Sequence, residues 1–301
     1  MNHDSKVWLN GDLIPWQEAT VPLLSHGFSR ASAIFEVFGT HIGHRGTMAF
    51  RMNEHLIRLN KSAELLGMEL AYSAETLVEA VKTTVEENQI GRGIVKILAY
   101  WGEEAITQLV LDAPLDVAIF TIPESPELGL DDSKPISACV SKWRKIHPET
   151  VPVAAKACSN YLNGYLARKD ANSRGYNIGI MLGTDGFLAE GSIESVFIVK
   201  NGVLKIPPLG RVLSSVTRMS ILQAVPQIGI PVMENPITAD ELYAADEIFT
   251  AHTGIKVSPV ILFDNHELQA PGPVTQKVME LMENILHLKD DRFIDWFQLL
   301  T

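Results

Sequence analysis

Cysteine is nearly absent from this chain. Cys139 and Cys158 are the only two in 301 residues, so no disulfide framework is expected and a reducing compartment fits. Basic charge is also short. Lys and Arg number 25 against 36 Asp and Glu, for a net charge of −11, and no basic block interrupts that balance, which argues against nucleic acid as a partner. No apolar run approaches the roughly 20 residues that span a bilayer. The opening MNHDSKVWLNGD has no apolar core of the kind a signal peptide needs and reads as the start of a strand. Together these absences imply a soluble, acidic, cytoplasmic protein with no membrane partner. The common catalytic fingerprints are missing too: there is no G-x-G-x-x-G, no P-loop, no G-x-S-x-G and no S-x-x-K. His41 and His44 lie three apart with no third ligand in view, so no metal is expected. Cys158 reads as a small apolar filler rather than a nucleophile.

What is present is a globular composition, 46% hydrophobic and 20% charged, long enough to bury a sizeable core. KVWLNGDLIPW carries an Asn-Gly turn between apolar segments and predicts a hairpin. AIFEVFGTH, GIVKILAYW and LDVAIFTI read as strands. NEHLIRLNKSAELLGM and SAETLVEAVKTTVEENQIG show helical spacing, with Gly67 ending the first and Leu77, Ala80, Val81 and Val85 facing inward on the second. ESPELGLDDSKP has two prolines and no periodicity, which places a linker at 124–134 between a domain at 1–123 and another at 135–301.

In the second part PISACVSKW reads as a strand and 160–174 as a helix capped by Ser159 or Asn160. Hairpins turn at Asp185-Gly186 and Asn201-Gly202. A helix starts near Val216 and is shortened by Pro226 before Gly229. Thr238 and Glu241 form a capping box. EIFTAHT and PVTQKVMELMENILHL follow as a strand and a helix. The pattern is that of two α/β domains.

Lys156 sits among small and apolar residues, VPVAAKAC, which suggests a buried backbone. An amine in a low-dielectric site is held neutral more easily, and the neutral amine is what attacks a carbonyl. The motifs SHGFSRASAIFE, FRMNEHLIRLNKSAELL, VPVAAKACSNY, DGFLAEGSIESVFIVKNG, LSSVTR and LYAADEIFTAHT occur in an order that resembles the class IV, fold-type IV pyridoxal-phosphate enzymes, above all branched-chain aminotransferases. The resemblance covers nearly the whole chain. It implies a mixed α/β (α+β) fold, with a small N-terminal α/β domain and a larger C-terminal one built on a β-barrel-like sheet and helices.

It also implies pyridoxal 5'-phosphate as cofactor, with Lys156 as its Schiff-base lysine. Tyr161 would donate to the phenolate oxygen and Glu190 would pair with the pyridine nitrogen. Leu213 would pack on the ring, and Arg58, Val216, Thr217 and Thr253 would take the phosphate. Phe35 aligns with a side-chain pocket residue.

The family's Tyr-x-Arg for the substrate carboxylate is replaced by Ile94 and Lys96. Arg30, Lys96 and the turn at His252 and Gly254 are therefore the candidates for that role. The implied activity is amino transfer from a branched-chain or other hydrophobic L-amino acid to 2-oxoglutarate. The alternatives are a 4-amino-4-deoxychorismate lyase-like lyase and a D-amino acid or amine transaminase of the same fold. A homodimer or higher homo-oligomer is implied as well, and the sheet residues Phe35, Phe38 and Ile97 suggest a face suited to burial between subunits.

Overall fold

The computed structural model describes residues 5–130, 133–254 and 257–301. Met1–Asp4 of the opening segment, and Asp131 and Asp132 of the expected linker, lie outside the described residues. The chain packs as two compact units. One comprises Met1–Leu128, Ala155–Ser159 and Leu286–Thr301, the other Gly129–Ala154 and Asn160–Ile285. The division expected at 124–134 was linear in sequence, whereas the packing is not: the segment holding Lys156 and the C-terminal tail both belong with the first unit.

The first unit contains β1 (Lys6–Leu9), β2 (Asp12–Pro15), α1 (His26–Ser29), β3 (Ala33–Gly43), β4 (Gly46–Phe50), α2 (Met52–Leu66), α3 (Ala74–Glu87), β5 (Gly93–Tyr100) and β6 (Asp116–Pro123). The second carries β7 (Ile136–Val140), α4 (Tyr161–Ser173), β8 (Ile178–Leu182), β9 (Leu188–Glu190), β10 (Ser195–Lys200), β11 (Val203–Ile206), α5 (Val216–Ala224), β12 (Val232–Glu234), α6 (Ala239–Tyr243), β13 (Glu247–Ala251), β14 (Ser258–Phe263), β15 (His266–Glu267) and α7 (Pro273–Leu286). The chain then returns to the first unit with β16 (Phe297–Leu299).

In the first unit seven strands run in the order β16-β4-β3-β5-β6-β1-β2. Asn10 and Gly11 both have positive φ, 50° and 107°, the left-handed turn that an Asn-Gly pair tolerates and a two-residue hairpin demands. Along β3 the even positions Ile34, Glu36, Phe38 and Thr40 are buried while Phe35, Val37 and Gly39 are only partly so, the period of two that strand geometry imposes. The buried face packs against α2 and α3 through Leu56, Leu59, Leu77, Val81 and Val85. Phe38 and Ile97 belong to this internal core, each with no exposed surface. Phe35 lies on the opposite face of β3 from Phe38. The three residues therefore do not form the single intersubunit face read from the sequence, because Phe35 and Phe38 are an odd number of positions apart.

The second unit is built on a nine-stranded mixed sheet with the path β12-β11-β10-β13-β14-β7-β8-β9, β15 joining β14. Its pairs β7–β8, β7–β14 and β11–β12 are parallel. Phe197 and Phe249 stack across β10 and β13 at 4.7 Å. α5 ends at Ala224 and tightens into a 3-10 turn over Val225–Ile228 that contains Pro226, with Gly229 at φ 74° closing it. Proline lacks the N–H that would continue the α-helical ladder. The capping box of α6 forms as read, with Thr238 and Glu241 exchanging hydrogen bonds.

Gly164 is buried on α4, and a Cβ there would overlap the carbonyl of Ser192, in the segment just after β9. Glycine is what lets the helix approach this backbone. Gly164→Ala is expected to destabilise the protein by about 1–3 kcal/mol through overpacking, seen as a lower urea midpoint with an unchanged slope.

Candidate active site

The candidate residues fall into two sets, one in each unit. In the first unit the organising group is Glu36, which the strand period points into the core and which is fully buried. An isolated carboxylate there would be strongly destabilising, and α2 supplies its partners. Arg58 donates from Nε to Oε1 at 2.7 Å and from Nη2 to Oε2 at 2.6 Å, while His55 Nδ1 lies 2.6 Å from Oε2. A carboxylate only accepts, so the Nδ1 of a neutral His55 carries the hydrogen. Burial alone would push the Glu36 carboxyl up, but Arg58 and His55 outweigh it and bring it from 4.5 down to about 2. Burial pushes the His55 imidazole below its usual 6.5, against the pull of Glu36. The Arg58 side chain is only 10% exposed.

One turn further along α2, Ser62 Oγ donates to the Arg58 carbonyl at 2.8 Å and accepts from the Lys156 N–H at 3.0 Å. The Lys156 carbonyl accepts from the Phe35 N–H at 3.1 Å, and Ala157 bridges Ile34 in antiparallel sense. The lysine segment thus extends the sheet beside the start of β3, where β4 does not reach. Within it Val153, Ala155 and Ala157 are buried but Ala154 is exposed, so the run alternates rather than being enclosed throughout.

Lys156 Nζ stands 4.6 Å from the Phe35 ring centroid. Lys96 Nζ is 5.3 Å from the same ring and 6.0 Å from that of Phe120. The register pairs Phe35 with Leu98, Val37 with Lys96 and Lys96 with Phe120, so Phe35, Lys96 and Phe120 share one face of the sheet. Arg30 is placed elsewhere: it donates to the carbonyls of Ala105 and Ile106, each at 2.9 Å, and so clips the loop between β5 and β6. Cys158 is partly buried, and burial pushes its thiol up, as it pushes Cys139 up to about 11. Both environments favour the inert thiol over a thiolate.

In the second unit Tyr161 opens α4, half-buried. Glu190 ends β9, and Lys145 Nζ lies 2.5 Å from its Oε1, the two side chains 9% and 15% exposed. Glu190 lines a narrow cleft with Ser195, Pro207, Val212 and Arg218, which brings it to the start of α5. Ser215 caps that helix by accepting from the Arg218 N–H at 3.2 Å. Arg218 fixes the helix further by donating to the Pro207 carbonyl at 3.0 Å and pairing with Glu234. Val216 and Thr217 are buried in the first turn, and Leu213 just before it is half-buried. Thr253 lies in the turn after β13, where the Gly254 N–H donates to His252 Nδ1 at 3.1 Å. Glu36, His55, Ser62 and Lys145 are the residues that pattern reading passed over. For Glu36 a signal existed, an acid in a core slot of the Ile34–Glu36–Phe38 alternation.

This fold and these residues belong to a known class. The chain is a member of the amino-transferase class IV family, whose model matches residues 33–263, and its architecture is the fold-type IV one. It is 32% identical over 279 residues to the branched-chain-amino-acid aminotransferase of Escherichia coli K12, covering 91% of this chain and 90% of that one. The structure matches the branched-chain aminotransferase of Thermoproteus uzoniensis, solved with norvaline, at TM-score 0.93, 35% identity and 99% coverage of both chains. It matches the branched-chain amino acid aminotransferase of Thermobaculum terrenum, solved in its PLP form, at TM-score 0.93, 28% identity and 100% coverage of both.

The Glu36 cluster makes stability depend on pH with a definite sign. Both groups have folded values below their unfolded ones, so each contributes stability above its unfolded value and loses it on acidification. Stability is expected to fall first as pH drops below 6.5, from His55, then between 4.5 and about 2, from Glu36. The second step is worth on the order of 3 kcal/mol. Glu36→Gln should flatten that lower limb in urea titrations while destabilising the protein at pH 7 by roughly 3 kcal/mol or more, since it leaves Arg58 buried without its counter-charge.

Proposed function

We propose that the protein is a pyridoxal 5'-phosphate-dependent transaminase that moves an amino group from a branched-chain or other hydrophobic L-amino acid to 2-oxoglutarate. The observation that carries this reading is the anchoring of Lys156, whose backbone is held on both sides while its amine stands over Phe35. The relatives' names favour transfer over the lyase reading.

The residues present fit the group chemically: an amine, a carboxylate ending β9, and a helix start whose N–H groups and dipole suit an anion. When bound, pyridoxal phosphate supplies an electron sink for the pair released as the substrate Cα loses its proton. Lys156 would hold it and carry that proton. Tyr161 would donate to its phenolate oxygen, Glu190 would hold its pyridine nitrogen, and Leu213 would pack on its ring. Arg58, Val216, Thr217 and Thr253 would take its phosphate. Glu36 orients the Arg58 fork.

For the substrate carboxylate Lys96 is the stronger candidate. It shares the Phe35 face with Lys156, whereas Arg30 is committed to two loop carbonyls and the Gly254 N–H to His252. Phe35 borders the substrate side chain.

The partner of this chain in the cell is a second copy. Leu23, Phe28, Ile106, Leu109 and Val110, all in the first unit, are each at least 66% exposed, an apolar patch that suits a subunit interface better than Phe38 and Ile97 do. No helix among the described residues is long and apolar enough to cross a membrane, and a cytoplasmic setting agrees with the free thiols.

Borohydride treatment of the holoprotein is expected to trap the cofactor on the Lys156 peptide, and Lys156→Ala to abolish transamination with the fold retained. Label on another lysine would overturn the reading. Lys96→Met should raise KM for the amino acid and for 2-oxoglutarate together, by about tenfold or more, with cofactor affinity unchanged, because both substrates present an α-carboxylate to the same group. Sedimentation equilibrium should report a dimer or a multiple of it. Replacing Leu109 and Val110 with Asp is expected to shift the population toward monomer.

A further inference from the structure

Lys145 is an ammonium with 8% of its surface exposed, in a segment, SKWRKIHP, that no motif singled out. Lysine is seldom buried without a task or a partner. Its backbone N–H donates to the Leu182 carbonyl at 2.9 Å, which ties the segment after β7 to the end of β8. β8 in turn pairs with β9, Leu182 opposite Leu188 and Met181 opposite Glu190. Lys145 and Glu190 are therefore held on neighbouring pieces of one backbone framework, and their 2.5 Å contact joins two fixed points rather than two mobile side chains.

We propose that Lys145 is a positioning residue that sets the direction and charge of Glu190. The inference rests on the reading of Glu190 as the partner of the pyridine nitrogen. Lys145 takes Oε1, which fixes the carboxylate rotamer and leaves Oε2 as the oxygen for a second donor. It also places the charges in alternation: ammonium, carboxylate, pyridinium. The lysine touches the carboxylate directly and stands one group further from the ring nitrogen. Its attraction for the anion therefore exceeds its repulsion of the pyridinium, and the arrangement with the proton on nitrogen is favoured over the one with the proton on the carboxyl. A buried carboxylate paired to the ring alone would lack that bias.

The test uses the holoprotein reconstituted with cofactor labelled with ¹⁵N in the ring, compared as wild type, Lys145→Gln, Lys145→Arg and Glu190→Gln. The ¹⁵N shift reads protonation of the ring nitrogen without reference to turnover. Lys145→Gln keeps a hydrogen-bond donor but removes the charge. It should move the ¹⁵N signal from the protonated toward the unprotonated position and lower kcat roughly tenfold or more, with a smaller change in KM. Lys145→Arg should restore both. If Glu190→Gln moves the signal but Lys145→Gln does not, the role of Lys145 is overturned while that of Glu190 stands. If neither substitution moves it, Glu190 does not face the ring nitrogen and both readings fall. Should Lys145→Gln not fold, Lys145→Met takes its place: a signal displaced toward the unprotonated position supports the charge role, and one at the wild-type position overturns it.

Discussion

A single buried carboxylate orders the first unit. Glu36 occupies a core slot of β3, and a strand cannot turn one residue outward without turning its neighbours inward. The charge has to be met where it stands. α2 meets it with Arg58 in a two-point fork and His55 from the turn before, which fixes both the rotation of the helix about its axis and its height along the strand. Once α2 is fixed, Ser62 is fixed, and with it the N–H of Lys156. A chain of three links, Glu36 to Arg58, Arg58 to Ser62 and Ser62 to Lys156, thus runs from a strand residue to the lysine. The lysine itself sits on a segment without regular structure, which would have little reason of its own to hold one position.

The second unit uses the same device around Glu190. Lys145 meets Glu190, Arg168 meets Glu194 four residues on, and Arg218 meets Glu234 beside the start of α5. Lys145, Glu190, Glu194 and Arg218 are the enclosed members of these pairs, and removing the partner of an enclosed ion is the costly case. Such pairs contribute little net stability over apolar packing. What they add here is direction, since a hydrogen-bonded ionic contact between groups on fixed backbone favours one orientation of the side chains in a way that a Leu–Leu contact does not.

Much of this was legible in the sequence, for identifiable reasons. The Asn10-Gly11, Asp185-Gly186 and Asn201-Gly202 turns, the Thr238–Glu241 capping box, the stripe of α3 and the shortening of α5 at Pro226 all rest on interactions within a few residues, and all stand in the structure. The transaminase class followed from motifs in order along the chain. What the sequence hid was long-range. β16 joins the sheet beside β4 from the far end of the chain, and no local signal places the 155–159 segment against β3 or Lys145 against Glu190. The reading of Phe35, Phe38 and Ile97 as one face failed on simple parity. Glu36 was visible in principle, because an acid between Ile34 and Phe38 in a strand pattern demands a cation from another element.

The two lysines on the Phe35 face are carried by different kinds of backbone. An arginine fork needs a carboxylate presented in plane, whereas an ammonium is a point charge on a flexible stem that can follow its partner. Lys96 is carried by β5 near the middle of the seven-stranded sheet, so its Cα is rigid and the adaptation lies in the side chain alone. Lys156 is the opposite case: an irregular backbone held at its N–H and its carbonyl. Under the proposed function, the rigid strand would bear the residue whose partner changes between half-reactions. The pinned loop would bear the residue whose position must not change.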